Sequence, residues 1–81
     1  MNVEEKVIEI LKDLSGEETI GETDTLKEDI HLDSLGMVTL LVEIEDVFDI
    51  RLDESDMNPF DLIAVQDVVN LVGKYIGDRN E

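Results

Sequence analysis

Apolar side chains recur at steps of three and four residues in three separate segments of this 81-residue chain. That spacing places them on one face of an α-helix, whereas a half-buried β-strand would alternate apolar and polar residues. The predicted helices cover Val3–Leu14, a segment from Asp33 or Ser34 to Phe48, and Ala64–Ile76. A fourth, short helix is expected near Ser55–Phe60, where Pro59 either limits its length or lies in its first turn. The expected fold is all-α, a small four-helix bundle with three main helices and one short one.

Residue types at the predicted helix ends agree with this pattern. Asn2 precedes the first helix and Glu5 follows three residues later, as in a capping box. Gly16 and Gly77 are expected to end the first and last helices, because glycine readily adopts the left-handed conformation of a helix C-cap. Ala64 is a poor N-cap, so a start of the last helix near Asp61 remains open.

A long polar and acidic loop, residues 16–32, joins the first two predicted helices. It exceeds most connections in compact domains, and its apolar residues are too irregularly spaced to predict a helix. Those able to pin it to the core are Ile20, Leu26, Ile30 and Leu32. At 81 residues, the chain is expected to form a single domain over residues 1–81.

The net charge of −16 comes from 22 acidic and 6 basic residues. Nucleic-acid binding and attachment to anionic membranes are disfavoured, since both need clustered lysine and arginine. The charge favours a basic protein partner or serves solubility alone. With no cysteine the chain forms no disulfide and no thiolate metal site. The stretch "LDESDMNPF" lacks the glycine of a calcium loop, so no metal site is predicted.

No apolar run is long enough to cross a bilayer, and the acidic start "MNVEEKVIEI" is unlike an export signal. These features predict a cytoplasmic protein without membrane insertion. We expect it to be a monomer.

The second predicted helix carries two apolar faces. Its core face, on a helical wheel, comprises Met37, Leu40, Leu41, Ile44, Val47 and Phe48. Leu35, Val38 and Val42 lie nearly opposite, bordered by Thr39, Glu45 and Asp46. This second face either packs against the long loop or the short helix, or is exposed for a partner. The spacing alone leaves both interpretations open.

Ser34 stands at the start of this helix, where a serine is often only a cap. A nucleophile elbow needs glycine on both sides, but Leu32 occupies one of those positions. His31, just before the helix start, is not expected to complete a catalytic triad. A helix N-terminus does suit a phosphate, and Gly36 adds little bulk there. Ser34 is therefore predicted to be modified rather than to attack a substrate, and the chain is not expected to be an enzyme.

The run "LDSLGMVTLLVEIEDVFDIRL", residues 32–52, resembles acyl carrier proteins and their peptidyl and aminoacyl relatives. The triplet Asp33-Ser34-Leu35 resembles the family's attachment motif, and the flanking "LKEDIHLDSL" and "LIAVQDVVNLV" extend the similarity over nearly the whole chain. Gly36 and Thr39 stand where many fatty-acid carriers have acidic residues. The D-S-x-G, V-E-I-E and F-D-I-R segments are similar to D-alanyl carrier proteins.

The resemblance implies that Ser34 carries a 4′-phosphopantetheine arm, transferred from coenzyme A by a phosphopantetheinyl transferase with Mg²⁺. The arm's thiol would hold acyl intermediates as thioesters for enzymes of fatty-acid, polyketide or related biosynthesis. The chain would not catalyse. One alternative is an aminoacyl carrier of the D-alanyl type, and another is an unmodified acidic adaptor that binds a basic partner.

The family's second helix usually docks on partners, which favours the exposed interpretation of Leu35, Val38 and Val42. The resemblance implies that Glu45 and Asp46 meet basic residues there. The expected partners are the transferase, a loading ligase and downstream synthases.

Overall fold

The computed structural model describes residues 2–58 and 61–79. It contains three α-helices, α1 (Val3–Ser15), α2 (Ser34–Phe48) and α3 (Val65–Arg79), and a 3-10 turn at Glu54–Asp56. An isolated antiparallel bridge joins Thr25 and Ala64, and no named strand occurs within these ranges. The helical prediction is confirmed, with three main helices in the expected order.

The predicted fourth helix is wrong, because Glu54–Asp56 makes only a 3-10 turn. Its backbone bonds span three residues, from the Asp56 N–H to the Asp53 carbonyl over 2.9 Å. A proline at position 59 has no N–H to donate to the Ser55 carbonyl, so an α-helical bond cannot form there. Pro59 and Phe60, the end of the predicted piece, lie outside the described residues.

The ends of α1 follow the sequence prediction. The Asn2 side chain accepts a hydrogen bond from the Glu5 N–H over 2.8 Å. Gly16 adopts the left-handed conformation with φ 79° and donates its N–H to the Lys12 carbonyl. The prediction that Gly77 ends the last helix is wrong, because α3 continues to Arg79. Gly77 is not among the residues with positive φ, so it continues the helix.

The start of α3 is capped from within the helix by an acid. Ala64 precedes the helix, and its side chain offers no oxygen. The Asp67 carboxylate reaches back and accepts from the backbone N–H groups of Ala64 and Ile63, each over 3.0 Å. This is the half of a capping box that the third helical residue supplies.

The long loop satisfies further N–H groups at the start of α3. Val65 donates its N–H to the Asp24 carbonyl and Gln66 donates to the Glu22 carbonyl, each over 3.0 Å. The first N–H groups of a helix have no partner inside it, so these bonds replace those that water would make. The loop is thereby fastened to the beginning of α3.

Leu26 joins the loop to both neighbouring helix starts. Its N–H donates to the Ile63 carbonyl over 2.8 Å, and its carbonyl accepts from the Leu32 N–H over 2.9 Å. Its side chain is fully buried. The predicted pinning of the loop to the core is confirmed, since all four of its apolar side chains are buried, namely Ile20, Leu26, Ile30 and Leu32.

One continuous core draws buried side chains from α1, α2, α3, the long loop and the α2–α3 connection. The predicted core face of α2 is buried except at Val47, which is 43% exposed. Val47 lies at the edge of that face, about 100° around the helix from Phe48. On the Phe48 side, Lys6 of α1 lies 5.7 Å from the ring centroid. The placement of Val47 in the core was therefore wrong.

The α2–α3 connection is held against α3 by polar contacts. The Tyr75 hydroxyl accepts from the Asp53 N–H over 2.8 Å and donates to the Asp56 carboxylate. Lys74 Nζ lies 3.2 Å from Asp56 Oδ2. The Tyr75 hydroxyl, aided by Lys74, lowers the pKa of the Asp56 carboxyl. These contacts fix the 3-10 turn beside the last helix.

Two acids meet where the loop passes the start of α1. The hydrogen bond that protonated Glu4 donates to the Glu22 carboxylate, together with the negative charge of Glu22, raises the pKa of Glu4 above the ordinary value of 4.5. A carboxyl whose pKa is higher in the folded state stabilises the fold below its unfolded pKa, and that stability is lost as pH rises through the folded pKa. At neutral pH both carboxyls are ionised, and their mutual repulsion therefore lowers the free energy of unfolding.

Replacing one member of this pair is expected to stabilise the protein at neutral pH. Glu22→Gln should have a higher melting temperature than wild type at pH 7, and the difference should shrink as pH falls towards 4. Glu9→Gln is the matched control, because Glu9 is exposed on α1 and its loss changes the net charge equally. Equal shifts for both variants across the pH range would show that overall charge, rather than this pair, sets the effect.

Candidate functional site

Ser34 occupies the first position of α2 and is exposed. The preceding residue provides the cap, since Asp33 Oδ1 accepts from the Gly36 N–H over 2.7 Å. The Asp33 carbonyl also accepts from the Met37 N–H over 2.9 Å. Because Asp33 does the capping, the Ser34 hydroxyl is not needed to begin the helix. The side chain therefore stands at a helix N-terminus in contact with solvent.

Gly36 leaves room for this cap. A Cβ at position 36 would lie 3.2 Å from Asp33 Oδ1 and 3.2 Å from the Leu32 side chain. Such distances are tighter than ordinary van der Waals contact, so a larger residue would press on the capping carboxylate and on buried Leu32. Glycine at position 36 therefore leaves the Asp33 cap and the Leu32 side chain undisturbed.

His31 turns the chain immediately before the site. It is exposed and has φ 67°, the left-handed conformation that costs a non-glycine residue about 1 kcal/mol. The next residue, Leu32, is buried and bonded to the Leu26 carbonyl, and Asp33 and Ser34 then emerge at the surface. The sequence gives no sign of this turn, because a histidine carries no preference strong enough to identify it.

Leu35, Val38 and Val42 form the outer face of α2. Their side chains are 73%, 50% and 53% exposed. Neither the long loop nor the 3-10 turn covers them, so the packed interpretation is excluded. Three large apolar side chains on successive turns of one helix remain in water, beginning directly beside Ser34.

The two acids predicted at this face differ in their surroundings. Glu45 is partly buried, and its Oε2 accepts from the Leu52 N–H over 2.8 Å, which holds the turn that follows α2. Asp46 is exposed. Both lie about 17 Å from Ser34 along the helix axis at 1.5 Å per residue. Asp33 and Leu35 are therefore next to Ser34, whereas Glu45 and Asp46 lie at the far end of α2.

An open depression of about 440 Å³ lies near that far end, lined by Glu45, Ile50, Arg51, Leu52 and Met57. Sequence reasoning did not find it, because its walls come from α2 and from the segment after it.

Among residues 2–58 and 61–79, no group of three or more His, Asp or Glu side chains is placed to hold a metal ion. None of the helices described in these ranges is both long and apolar enough to span a membrane.

Comparison with known proteins points to one family. A family profile described as "Phosphopantetheine attachment site" matches residues 5–72. The acyl carrier protein of Syntrophus aciditrophicus is 36% identical over 83 residues, covering 99% of this chain and 95% of that protein. The D-alanyl carrier protein of Streptococcus sanguinis is also 36% identical, over 73 residues covering 85% of this chain and 89% of that protein.

The fold is also similar to that of a solved acyl carrier protein structure. A solved structure from Mycobacterium tuberculosis, of a protein assigned as an acyl carrier protein, superimposes with a TM-score of 0.81. It is 27% identical and the match covers 90% of this chain and 97% of that one. The family profile, the relatives and the fold agree on the class of protein, a carrier with a phosphopantetheine attachment domain. The chain belongs to the acyl carrier protein family of phosphopantetheine-dependent carriers.

The family resemblance is thereby confirmed, and the prosthetic group of the chain is a covalently attached 4′-phosphopantetheine. Carrier proteins of this kind work with synthases, ligases and a phosphopantetheinyl transferase.

Proposed function

We propose that Ser34 carries the 4′-phosphopantetheine arm and that the chain, as one carrier domain over residues 1–81, presents acyl groups to partner enzymes. The observation that carries the assignment is the exposed Ser34 side chain at the first position of α2, with Asp33 supplying the cap. The mass of one phosphopantetheine, gained by wild type and not by Ser34→Ala, tests it.

The residues around Ser34 suit a phosphodiester. Ser34 is the first residue of α2, where N–H groups without partners inside the helix and the positive end of the helix dipole favour a negatively charged phosphate. When bound, the arm supplies a terminal thiol that can hold acyl or aminoacyl cargo as a thioester. This chain contains no cysteine, so that thiol cannot come from its own side chains. The residues of the chain position the arm, and the partner enzymes perform the chemistry.

The cargo we propose is acyl, in fatty-acid, polyketide or related biosynthesis, and the cytoplasm stays the predicted compartment. D-alanyl cargo is the second candidate, favoured by Gly36 within the D-S-x-G segment and by a D-alanyl carrier relative as similar as the acyl one. The mass added to the phosphopantetheine-bearing protein by an acyl ligase, compared with that added by a D-alanyl ligase, distinguishes the two.

We propose that the outer face of α2 docks on basic partner surfaces. Its apolar side chains begin beside Ser34, so an enzyme that reaches that hydroxyl passes over them. Residues 28–50 contain no lysine or arginine, which favours partners with complementary positive charge. Of the two acids, Asp46 is the better placed for a partner's lysine or arginine, because Glu45 already accepts from Leu52.

An acid placed on the outer face is expected to weaken docking. Val42→Asp should lower kcat/KM for phosphopantetheinyl transfer by about tenfold or more, mainly through KM, because a carboxylate must lose water in an apolar contact. Val47→Asp is the matched control: the same residue type on the same helix, 43% exposed where Val42 is 53% exposed. Equal losses in both variants would contradict docking through the outer face.

A further inference from the structure

Ile63 is a large apolar side chain left in water outside α2. It is 66% exposed and lies just before α3, in a segment that the attachment motif does not include. No alternation or helical period singles it out, so sequence reasoning passed over it. Only Leu35, at 73%, is more exposed among the large apolar side chains of the described residues.

Backbone hydrogen bonds place Ile63 near the attachment serine. The Leu26 N–H donates to the Ile63 carbonyl over 2.8 Å, and the Leu26 carbonyl accepts from the Leu32 N–H over 2.9 Å. Leu32 is two residues before Ser34. One residue of the long loop thus bridges the segment before α3 to the segment before α2. Ile63 and Leu35 consequently lie at the same end of the molecule.

Ile63 is also held firmly. Its N–H donates to Asp67 Oδ2 over 3.0 Å, while its carbonyl takes the bond from Leu26. Both backbone polar groups are therefore bonded within the protein. An apolar side chain on a fixed backbone loses little conformational freedom when a partner covers it, which is the arrangement that favours tight contact.

The charge around Ile63 matches that around Ser34. Residues 52–73, like residues 28–50, contain no lysine or arginine, and the basic residues that border these two segments in sequence are Lys27, Arg51 and Lys74. Exposed Asp61 and Glu22 and half-buried Asp67 flank the segment. A protein surface that covers Ile63 has to present an apolar recess with a basic rim.

We infer that Ile63 is a second apolar anchor for the enzyme that loads Ser34, so that the docking surface spans the start of α2 and the segment before α3. The occupant is a basic enzyme surface that straddles the two helix starts while it reaches the serine hydroxyl. This inference rests on the proposed function of Ser34. It adds a contact from a different element, brought to the site by Leu26.

The test measures phosphopantetheinyl transfer to the apo-protein with coenzyme A, Mg²⁺ and a broad-specificity transferase. Ile63→Thr keeps a β-branched side chain and removes most of the apolar contact, so KM for the carrier should rise about threefold to tenfold with kcat nearly unchanged. Ile63→Leu should stay close to wild type. Val47→Thr removes apolar surface from an exposed position on α2 away from this end and should also stay close to wild type.

The outcomes separate the inference from the function beneath it. A wild-type chain that gains no phosphopantetheine overturns the assignment of Ser34 and the inference with it. A wild type that is loaded, with Ile63→Thr equal to it in KM, overturns the inference alone. A loss in kcat without a rise in KM for Ile63→Thr also overturns the inference. A rise in KM for Val47→Thr or Ile63→Leu equal to that for Ile63→Thr overturns it as well. Unchanged melting temperatures in all three variants exclude unfolding as the cause.

Discussion

Ser34→Ala is expected to abolish attachment of phosphopantetheine while leaving the protein folded. Alanine offers no oxygen for the phosphodiester bond. The helix start should survive, because the cap is the Asp33 carboxylate bonded to the Gly36 N–H. Alanine is also favourable within a helix, so the change in stability should stay within about 0.5 kcal/mol. Transfer of a fluorescent pantetheine from a coenzyme A analogue, read on a gel beside a thermal melt, measures both effects.

Ser55→Ala provides the control for this loss. Ser55 is exposed in the 3-10 turn of Glu54–Asp56. The substitution therefore removes a surface hydroxyl that is distant in sequence from the start of α2. It should be labelled like wild type. Labelling that persists in Ser34→Ala, or disappears in Ser55→Ala, would move the attachment site to another residue.

Leu26→Ala is expected to be the most destabilising single truncation of the long loop. The Leu26 side chain is fully buried although it belongs to no helix. Truncating a buried leucine costs about 2–5 kcal/mol through lost transfer free energy and the cavity left behind. An 81-residue chain has roughly 4–12 kcal/mol of total stability, so this loss is a large fraction of it. Urea unfolding followed by circular dichroism measures the difference.

Leu35→Ala is the matched comparison, since it is the same substitution at a side chain 73% exposed. Its cost should stay within about 0.5 kcal/mol. If Leu26→Ala cost no more than Leu35→Ala, the loop would not belong to the core, and the bridge between Ile63 and Leu32 would lose its basis.

Local patterns were sufficient for the parts of the fold that depend on near neighbours. The cap of Asn2 on Glu5 and the left-handed Gly16 are interactions within one helical turn, and both are found as predicted. The apolar period located the core face of α2 but not its edge, so Val47 was misplaced. Whether a border position is covered depends on where α1 packs, and a helical period cannot specify that.

Long-range contacts explain the remaining differences. At the start of α3, Asp67 caps the N–H of Ala64. The next two N–H groups of the helix, however, are bonded by the carbonyls of Asp24 and Glu22, which lie in a loop remote in sequence. The left-handed turn at His31 is stabilised by the burial of Leu32, which a residue-by-residue preference does not reveal. Such contacts are properties of the assembled core.

At the candidate site, too, local sequence patterns predict some features, and others depend on the assembled structure. The triplet at Asp33-Ser34-Leu35 identifies the serine from sequence, and the structure places the serine at the surface with its neighbour as the cap. The spacing of Leu35, Val38 and Val42 defined a face but left its exposure open, and the structure leaves it uncovered. Ile63 has no pattern at all and becomes visible only through its bonds to Leu26 and Asp67.

The central claim is that Ser34 bears the arm, and mass spectrometry of the wild-type chain tests it most directly. The apo-protein is incubated with coenzyme A, Mg²⁺ and a broad-specificity phosphopantetheinyl transferase, and its intact mass and fragment masses are recorded. We predict a gain of one phosphopantetheine, with every fragment that carries it containing Ser34. An unmodified starting chain that gains no mass, or a group located on any other residue, would contradict the account.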